Sequence, residues 1–496
     1  LFKRETVRVF VLVSVMLAMF MAAVEGTIVA TAMPSIVGDL GGFTLFSWVF
    51  SAFLLAQTVT IPIYGKLADL YGRKPVFVLG VVVFLAGSTL CGLATSMNQL
   101  IFYRLIQGVG AGAVQPIATT IVGDIYNLEE RAQVQGYLSG VWGFASIIGP
   151  AVGGLFVQYA RWSWVFWINI PVGLLSALGI ILFFRETVTQ RAHKVDYLGS
   201  GLIFVAISAL MVVLIQAGTV WPWGSAPVLG LLAVFAAGSL LFVVREKRAT
   251  EPVMPLEIWH DRLITVANLA SLTTGIVLVG IDTFLPTFVQ GVMNKTPIVA
   301  GFALAVMSIG WTLSATVAGR MILRLGYRRT ALGGGLWLVI GSVFFVTLQP
   351  SRGWFWAAGG SFLVGVGMGL ARTVFIVAVQ SSVAWEMRGA ATAANMFTGI
   401  LGNTVGAALL GGVLNNRMTA YLRHIPAGQG APLNLDVVNA LLDPQKRQSL
   451  SAEMLRVLQR GLTISLHTVY WGVMVLSFAS LFLIYFLPRR TKEESQ

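Results

Sequence analysis

The feature that most constrains this chain is the recurrence of apolar runs about twenty residues long, separated by short breaks rich in Gly, Pro and charge. About 20 apolar residues in helical form span the ~30 Å hydrocarbon core of a bilayer. In that core every backbone polar group has to be satisfied internally, so a run of this kind is read as a helix. The runs lie near 9–33, 44–67, 76–95, 99–122, 133–157, 163–184, 197–217, 226–244, 263–290, 297–319, 330–348, 353–379, 389–414 and 461–487. They predict an all-α polytopic membrane protein with 14 transmembrane helices. With 56% hydrophobic and 11% charged residues and a mean hydropathy of +0.81, the composition is incompatible with a soluble fold. The first run, from Phe10 to Met33, is too long for a cleavable signal peptide.

The formal net charge of +13 is scattered in small groups between the runs rather than gathered on one segment. That pattern marks membrane orientation and not nucleic-acid binding, so no nucleic-acid partner is expected. With the N-terminus inside, 22 of the 33 Lys and Arg fall on the cytoplasmic side, nine outside, and Arg104 and Arg372 within spans. The asymmetry predicts that both termini are cytoplasmic. Trp162, Trp164, Trp167, Trp221, Trp223, Trp354 and Trp356 then fall near outer span ends, where indole rings favour the headgroup layer. The single cysteine, Cys91, excludes an intrachain disulfide and a Cys-based metal site. No phosphate-binding Gly-Lys-Ser/Thr loop, metal-ligand cluster or nucleophile constellation is present, so neither enzyme chemistry nor a cofactor or metal is expected.

Half of the chain echoes the other half. The hairpin Gly65-Lys-Leu-Ala-Asp69-Leu-Tyr-Gly72-Arg73-Lys74-Pro75 is matched 254 residues later by Gly319-Arg320-Met-Ile-Leu-Arg324-Leu-Gly326-Tyr-Arg328-Arg329, with the same glycine spacing and flanking cations. At these residues the sequence resembles the major facilitator superfamily, whose loop between helices two and three reads Gly-x-x-x-Asp-x-x-Gly-Arg-Lys/Arg. The resemblance implies a cytoplasmic gating loop of Gly65, Asp69, Gly72, Arg73 and Lys74. In it, Asp69 meets the end of a helix of the other half, where a carboxylate is stabilised by the helix N-terminus. The second copy has Leu323 in place of Asp69, so such a latch is one-sided. The offset pairs spans 1–6 with 9–14, which divides the chain into an N-terminal six-helix bundle (1–190), two inserted linker helices with a cytoplasmic loop (191–260) and a C-terminal six-helix bundle (261–496). Within the outer loop 415–460, the stretches Leu433–Leu442 and Ser451–Leu462 have helical periodicity and are split by Pro444, predicting two short helices.

Further motifs extend the resemblance over essentially the whole chain. Arg104-Leu-Ile-Gln107-Gly108 resembles an Arg-x-x-Gln-Gly signature of span 4. A cation there needs a cavity or a partner, and it is read either as a structural Arg bonded to backbone carbonyls or as a modulator of the proton affinity of a nearby carboxylate. Gly149-Pro150-Ala-Val-Gly153-Gly154 in span 5 resembles the signature of exporters that exchange substrate for protons, and is in any case a kinkable, close-packed helix. Val24-Glu25-Gly-Thr27-Ile28-Val29-Ala-Thr-Ala-Met-Pro34 resembles a stretch of the fourteen-span drug:proton antiporters, with Glu25 in place of Asp. Desolvation disfavours its ionised form, which leaves three readings: a proton-coupling acid, a permanently protonated carboxyl, or one that ties helices together. Asp282 in span 9 is a second intramembrane acid, either a substrate- or proton-binding group or the counterion of Arg372 in span 12. His467 in span 14 is read as packed or as a proton carrier.

The resemblance therefore implies a major facilitator fold: two six-helix bundles plus two additional helices. Its expected activity is proton-coupled efflux of lipophilic, cationic drugs across the plasma membrane. Glu25, Asp282, Arg104 and Arg372 form the proton-coupling and substrate-binding group, the two halves rock about a central cavity, and membrane lipids and protons are the other partners of a monomer. On the same fold the sequence also allows a dedicated exporter of a lipid, siderophore or metabolite, or proton-coupled uptake, and, from another class, a non-transporting sensor.

Overall fold

The computed structural model describes residues 4–126, 128–186, 196–218, 220–249, 256–383, 388–424, 435–442 and 444–488. Helices dominate these segments, in the order α1 (Arg4–Leu40), α2 (Phe46–Tyr71), α3 (Arg73–Gly92), α4 (Met97–Ile125), α5 (Leu128–Tyr159), α6 (Trp164–Trp167), α7 (Asn169–Phe183), α8 (Tyr197–Gln216), α9 (Ala226–Glu246), α10 (Arg262–Thr287), α11 (Pro297–Val346), α12 (Trp354–Ser381), α13 (Arg388–Arg423), α14 (Val437–Leu442), α15 (Pro444–Gln448) and α16 (Ala452–Tyr485). Among the described residues, 13 segments are long and apolar enough to cross a membrane. The longest, Pro297–Val346, has 50 residues and is interrupted at Gly326, where φ is 79° and ψ 170°. A helix of that length would be about 75 Å long at ~1.5 Å per residue, more than twice a bilayer core.

Gly326 is the second glycine of the repeated hairpin, and its counterpart Gly72 has a φ of 94° and a ψ of 153°. Both copies thus turn at a left-handed φ that a side chain disfavours, and the glycine spacing seen in the sequence has this conformational cause. Elsewhere glycines serve close approach. A Cβ on Gly108 would stand 2.4 Å from the Phe53 carbonyl oxygen, and one on Gly112 2.1 Å from Thr60 Oγ1, so α4 packs backbone-close on α2. A Cβ on Gly149 would stand 2.1 Å from Thr27 Oγ1, and one on Gly153 2.9 Å from the Ile28 carbonyl oxygen. The Gly-Pro motif of α5 therefore lies against α1 beside Glu25. In the absence of a hydrophobic drive between helices in lipid, small residues of this kind let van der Waals packing hold the bundle.

The chain divides into two compact units. The first comprises Leu1–Ala32, Trp48–Leu210 and Gly230–Val253, and the second Met33–Ser47, Met211–Leu229 and Met254–Gln496. Residues of α8 and α9 fall in both units. In the first unit, Asp196 Oδ1 accepts from Arg245 Nε at 3.0 Å, joining the start of α8 to the end of α9. In the second, α8 touches α13, where a Cβ on Gly412 would stand 1.8 Å from the Leu214 carbonyl oxygen. The 415–460 segment differs from its prediction. The short helix before Pro444 is α14, and Pro444 itself begins a further one, α15, as suits a residue whose missing N–H is unneeded in the first turn. The stretch from Ala452 runs on without a break into the last long helix, capped by Ser451, whose Oγ accepts from Met454 N at 3.2 Å.

Candidate functional site

Five buried polar residues of the first unit, Glu25, Ser88, Arg104, Gln107 and Asn169, gather into one knot. Glu25 on α1 is fully buried, as are Gln107 on α4 and Ser88 on α3, and Arg104 on α4 is 1% exposed. Arg104 Nη1 donates to Glu25 Oε1 and, at 2.7 Å, to Gln107 Oε1, while its Nε donates to the Val49 carbonyl on α2 at 3.1 Å. Asn169 Nδ2, at the start of α7, donates to Glu25 Oε2 at 2.6 Å and to Ser88 Oγ at 3.0 Å. Gln107 Nε2 donates to the same hydroxyl at 3.1 Å, and Ser88 Oγ donates to the Phe166 carbonyl at 2.8 Å. The Phe53 ring lies 4.1 Å from the guanidinium carbon. Arg104 thus bonds a backbone carbonyl and pairs with a carboxylate. Glu25 is therefore paired and not a free acid.

That other pair does not form. Asp282 on α10 and Arg372 on α12 share no ion pair, and Asp282 Oδ1 and Arg372 Nε are buried without a hydrogen-bond partner. In the same unit Asn395 Nδ2 donates to Asn268 Oδ1 and to Ser271 Oγ, both at 2.9 Å, while Asn268 Nδ2 is itself buried without a partner. Asn403 Oδ1 is buried and unpartnered. His467 is packed, its Nε2 2.6 Å from the Leu348 carbonyl and its ring stacked on Phe288 at 5.9 Å between centroids.

At the repeated hairpin, the side chains of Lys66 and Asp69 lie outside the described residues. A different carboxylate stands at a helix start here. Glu186 Oε1 accepts from Arg73 N at 2.8 Å and its Oε2 from Lys74 N at 3.0 Å, which caps α3 with a charge suited to the helix dipole. Reciprocally, Lys74 Nζ donates to the carbonyls of Ile181 and Phe184 at 2.7 and 2.8 Å, at the end of α7. In the second copy Arg328, the counterpart of Lys74, lies 4.4 Å from the Tyr485 ring at the end of α16.

The sequence reading missed Asn169, Ser88 and Glu186. Asn169 carried a usable signal: a carboxamide inside the apolar stretch Trp164-Val-Phe-Trp-Ile-Asn169-Ile-Pro has to find partners within the bundle. Ser88 and Glu186 carried none.

Comparison with known proteins gives this architecture its class. A profile of the Major Facilitator Superfamily matches residues 15–407, and the chain belongs to that family of membrane transporters. It is 32% identical to the multidrug transporter protein MdtP of Bacillus subtilis, over 98% of this chain and 94% of that protein. It is 34% identical to multidrug resistance protein 3 of the same organism, over 88% and 85%. Among solved structures, a bacterial homologue of the human lysosomal transporter Spinster, in an inward-facing unoccupied conformation, superposes with a TM-score of 0.69 at 17% identity. It covers 98% of this chain and 99% of that one. The chain is thus a multi-pass membrane protein of major facilitator fold that moves small molecules across a membrane.

Proposed function

We propose that this transporter is a multidrug efflux pump of the plasma membrane that exchanges lipophilic drugs for protons by alternating access. Both termini are cytoplasmic, 14 spans are counted by taking the two arms of α11 on either side of Gly326 separately, and one chain is the working unit. Efflux is favoured by the names of its relatives and by the Gly149-Pro150-x-x-Gly153-Gly154 face of α5.

The observation that carries proton coupling is the engagement of both Glu25 oxygens, by Arg104 on one side and Asn169 on the other. Protonating Glu25 removes the charge that Arg104 neutralises and converts one acceptor oxygen into a donor, so the knot across α1, α2, α3, α4 and α7 has to rearrange. Unpairing a buried charge costs several kcal/mol, enough to bias a conformational equilibrium. In this reading Glu25 is the coupling acid, Arg104 sets its proton affinity, Asp282 attracts the cationic part of the drug, and the Gly65–Lys74 hairpin, with Asp69, controls access.

Dye efflux from proteoliposomes under an imposed proton gradient tests the assignment. The wild type pumps a lipophilic cation, Glu25→Gln binds it but no longer accumulates it with the gradient, and Asp282→Asn binds it more weakly. Normal gradient-driven pumping by Glu25→Gln would remove Glu25 from the coupling role.

A further inference from the structure

We infer that Arg372 is a recognition site for an anionic group, a carboxylate or sulfonate, on the transported molecule. The inference rests on the efflux reading for its context and assigns a substrate class: amphiphiles that carry an anion as well as a cationic part. The geometry of the second unit supports it. Arg372 makes no hydrogen bond or ion pair with any described residue, and its Nε is buried without a partner. A guanidinium keeps its charge, and an uncompensated charge within a bilayer is costly unless it faces a cavity or a partner. Arg104 shows what a settled arginine looks like in this chain: a carboxylate, an amide oxygen, a backbone carbonyl and an aromatic face.

Arg372 has partial exposure in place of partners. Its guanidinium lies over Gly399 of α13, where an added Cβ would stand 2.7 Å from Nη1. The residue as a whole is half-buried and not sealed. The acid of this unit does not compete for the site. Gly402 packs on Leu272, Gly406 on Ile276 and Gly280 against Leu410, which fixes the register of α10 beside α13. Asp282 lies beyond the Gly280–Leu410 contact, so its offset from Gly399 along the axis is on the order of 15–20 Å at ~1.5 Å per residue. That exceeds the reach of an arginine side chain. A planar fork of five donors with no acceptor matches an oxyanion in two-point fashion.

The experiment measures equilibrium binding of a cationic xanthene dye with a free carboxylate, and of its methyl ester, to purified protein in detergent, by fluorescence anisotropy. Both dyes carry the cation and differ only in the anion. The wild type binds the free acid about tenfold more tightly than the ester. Arg372→Gln abolishes that preference by weakening the acid alone, Arg372→Lys retains part of it, and Gly399→Ala, which crowds the guanidinium without changing charge, reduces it. Equal binding of acid and ester by the wild type overturns the inference, as does an Arg372→Gln variant that weakens both dyes equally. Should Arg372→Gln not elute as a folded species on size exclusion, the wild-type ratio and Gly399→Ala decide. Binding is read without transport, so a protein that prefers the acid but moves neither dye in proteoliposomes contradicts the efflux reading and not this one.

Discussion

Arg104 and Arg372 are the same residue type in the same kind of setting, each inside an apolar helix, and their surroundings differ in what a charge needs. Arg104 is held by groups from α1, α2 and its own helix, and the carboxylate it pairs with is held again from α7. Arg372 meets a glycine and, among the described residues, no acceptor. A satisfied polar network makes a bundle specific and rigid, whereas an unsatisfied charge is a functional group awaiting a partner. The first unit invests its buried polarity in its own assembly, and the second leaves an acid and a base open.

The sharpest way to break this comparison is to replace each arginine by leucine and follow thermal unfolding in detergent. Arg104→Leu leaves Glu25 buried and unpaired and is expected to cost about 3–5 kcal/mol. Arg372→Leu removes an unpartnered charge and is expected to leave stability unchanged or raise it. Equal losses from the two would show that Arg372 has a structural partner after all. Next in size, Asn169→Leu removes the donor to Glu25 Oε2 and is expected to cost about 1–3 kcal/mol, with Arg104→Leu and Asn169→Leu less than additive because they serve one carboxylate.

The repeated hairpin gives a finer comparison. Gly72→Ala and Gly326→Ala both force a side chain into a left-handed φ and are each expected to cost about 1–2 kcal/mol. A marked inequality would mean that the two turns are not equivalent. The smallest effect, about 0.3–1 kcal/mol and weaker in high salt, is expected for Glu186→Gln, which removes the charge at the start of α3. Comparison of its unfolding midpoint at low and high salt checks the sign. Lys74 and Arg328 show the same equivalence by different chemistry: each cation reaches the end of the last helix of its own half, one through carbonyls and the other through an aromatic face.

The membrane class, the helical segments, the internal repeat and the glycines that turn or pack were legible in the residue order. Each depends on local properties, namely hydropathy over one span or the φ that one position requires. The candidate acids and arginines were legible too, since a charge inside an apolar run stands out. Their pairing was not. Glu25 and Asn169 are 144 residues apart and Arg104 and Val49 are 55 apart, and a one-dimensional pattern does not say which helix faces converge. The sequence left Arg372 as one of two alternatives for Asp282, on charge alone, and the helix register separates them. What the chain by itself determined is where charge enters the membrane. The tertiary structure decided which of those charges are neutralised, because neutralisation requires side chains from several helices to arrive within about 3 Å of one another.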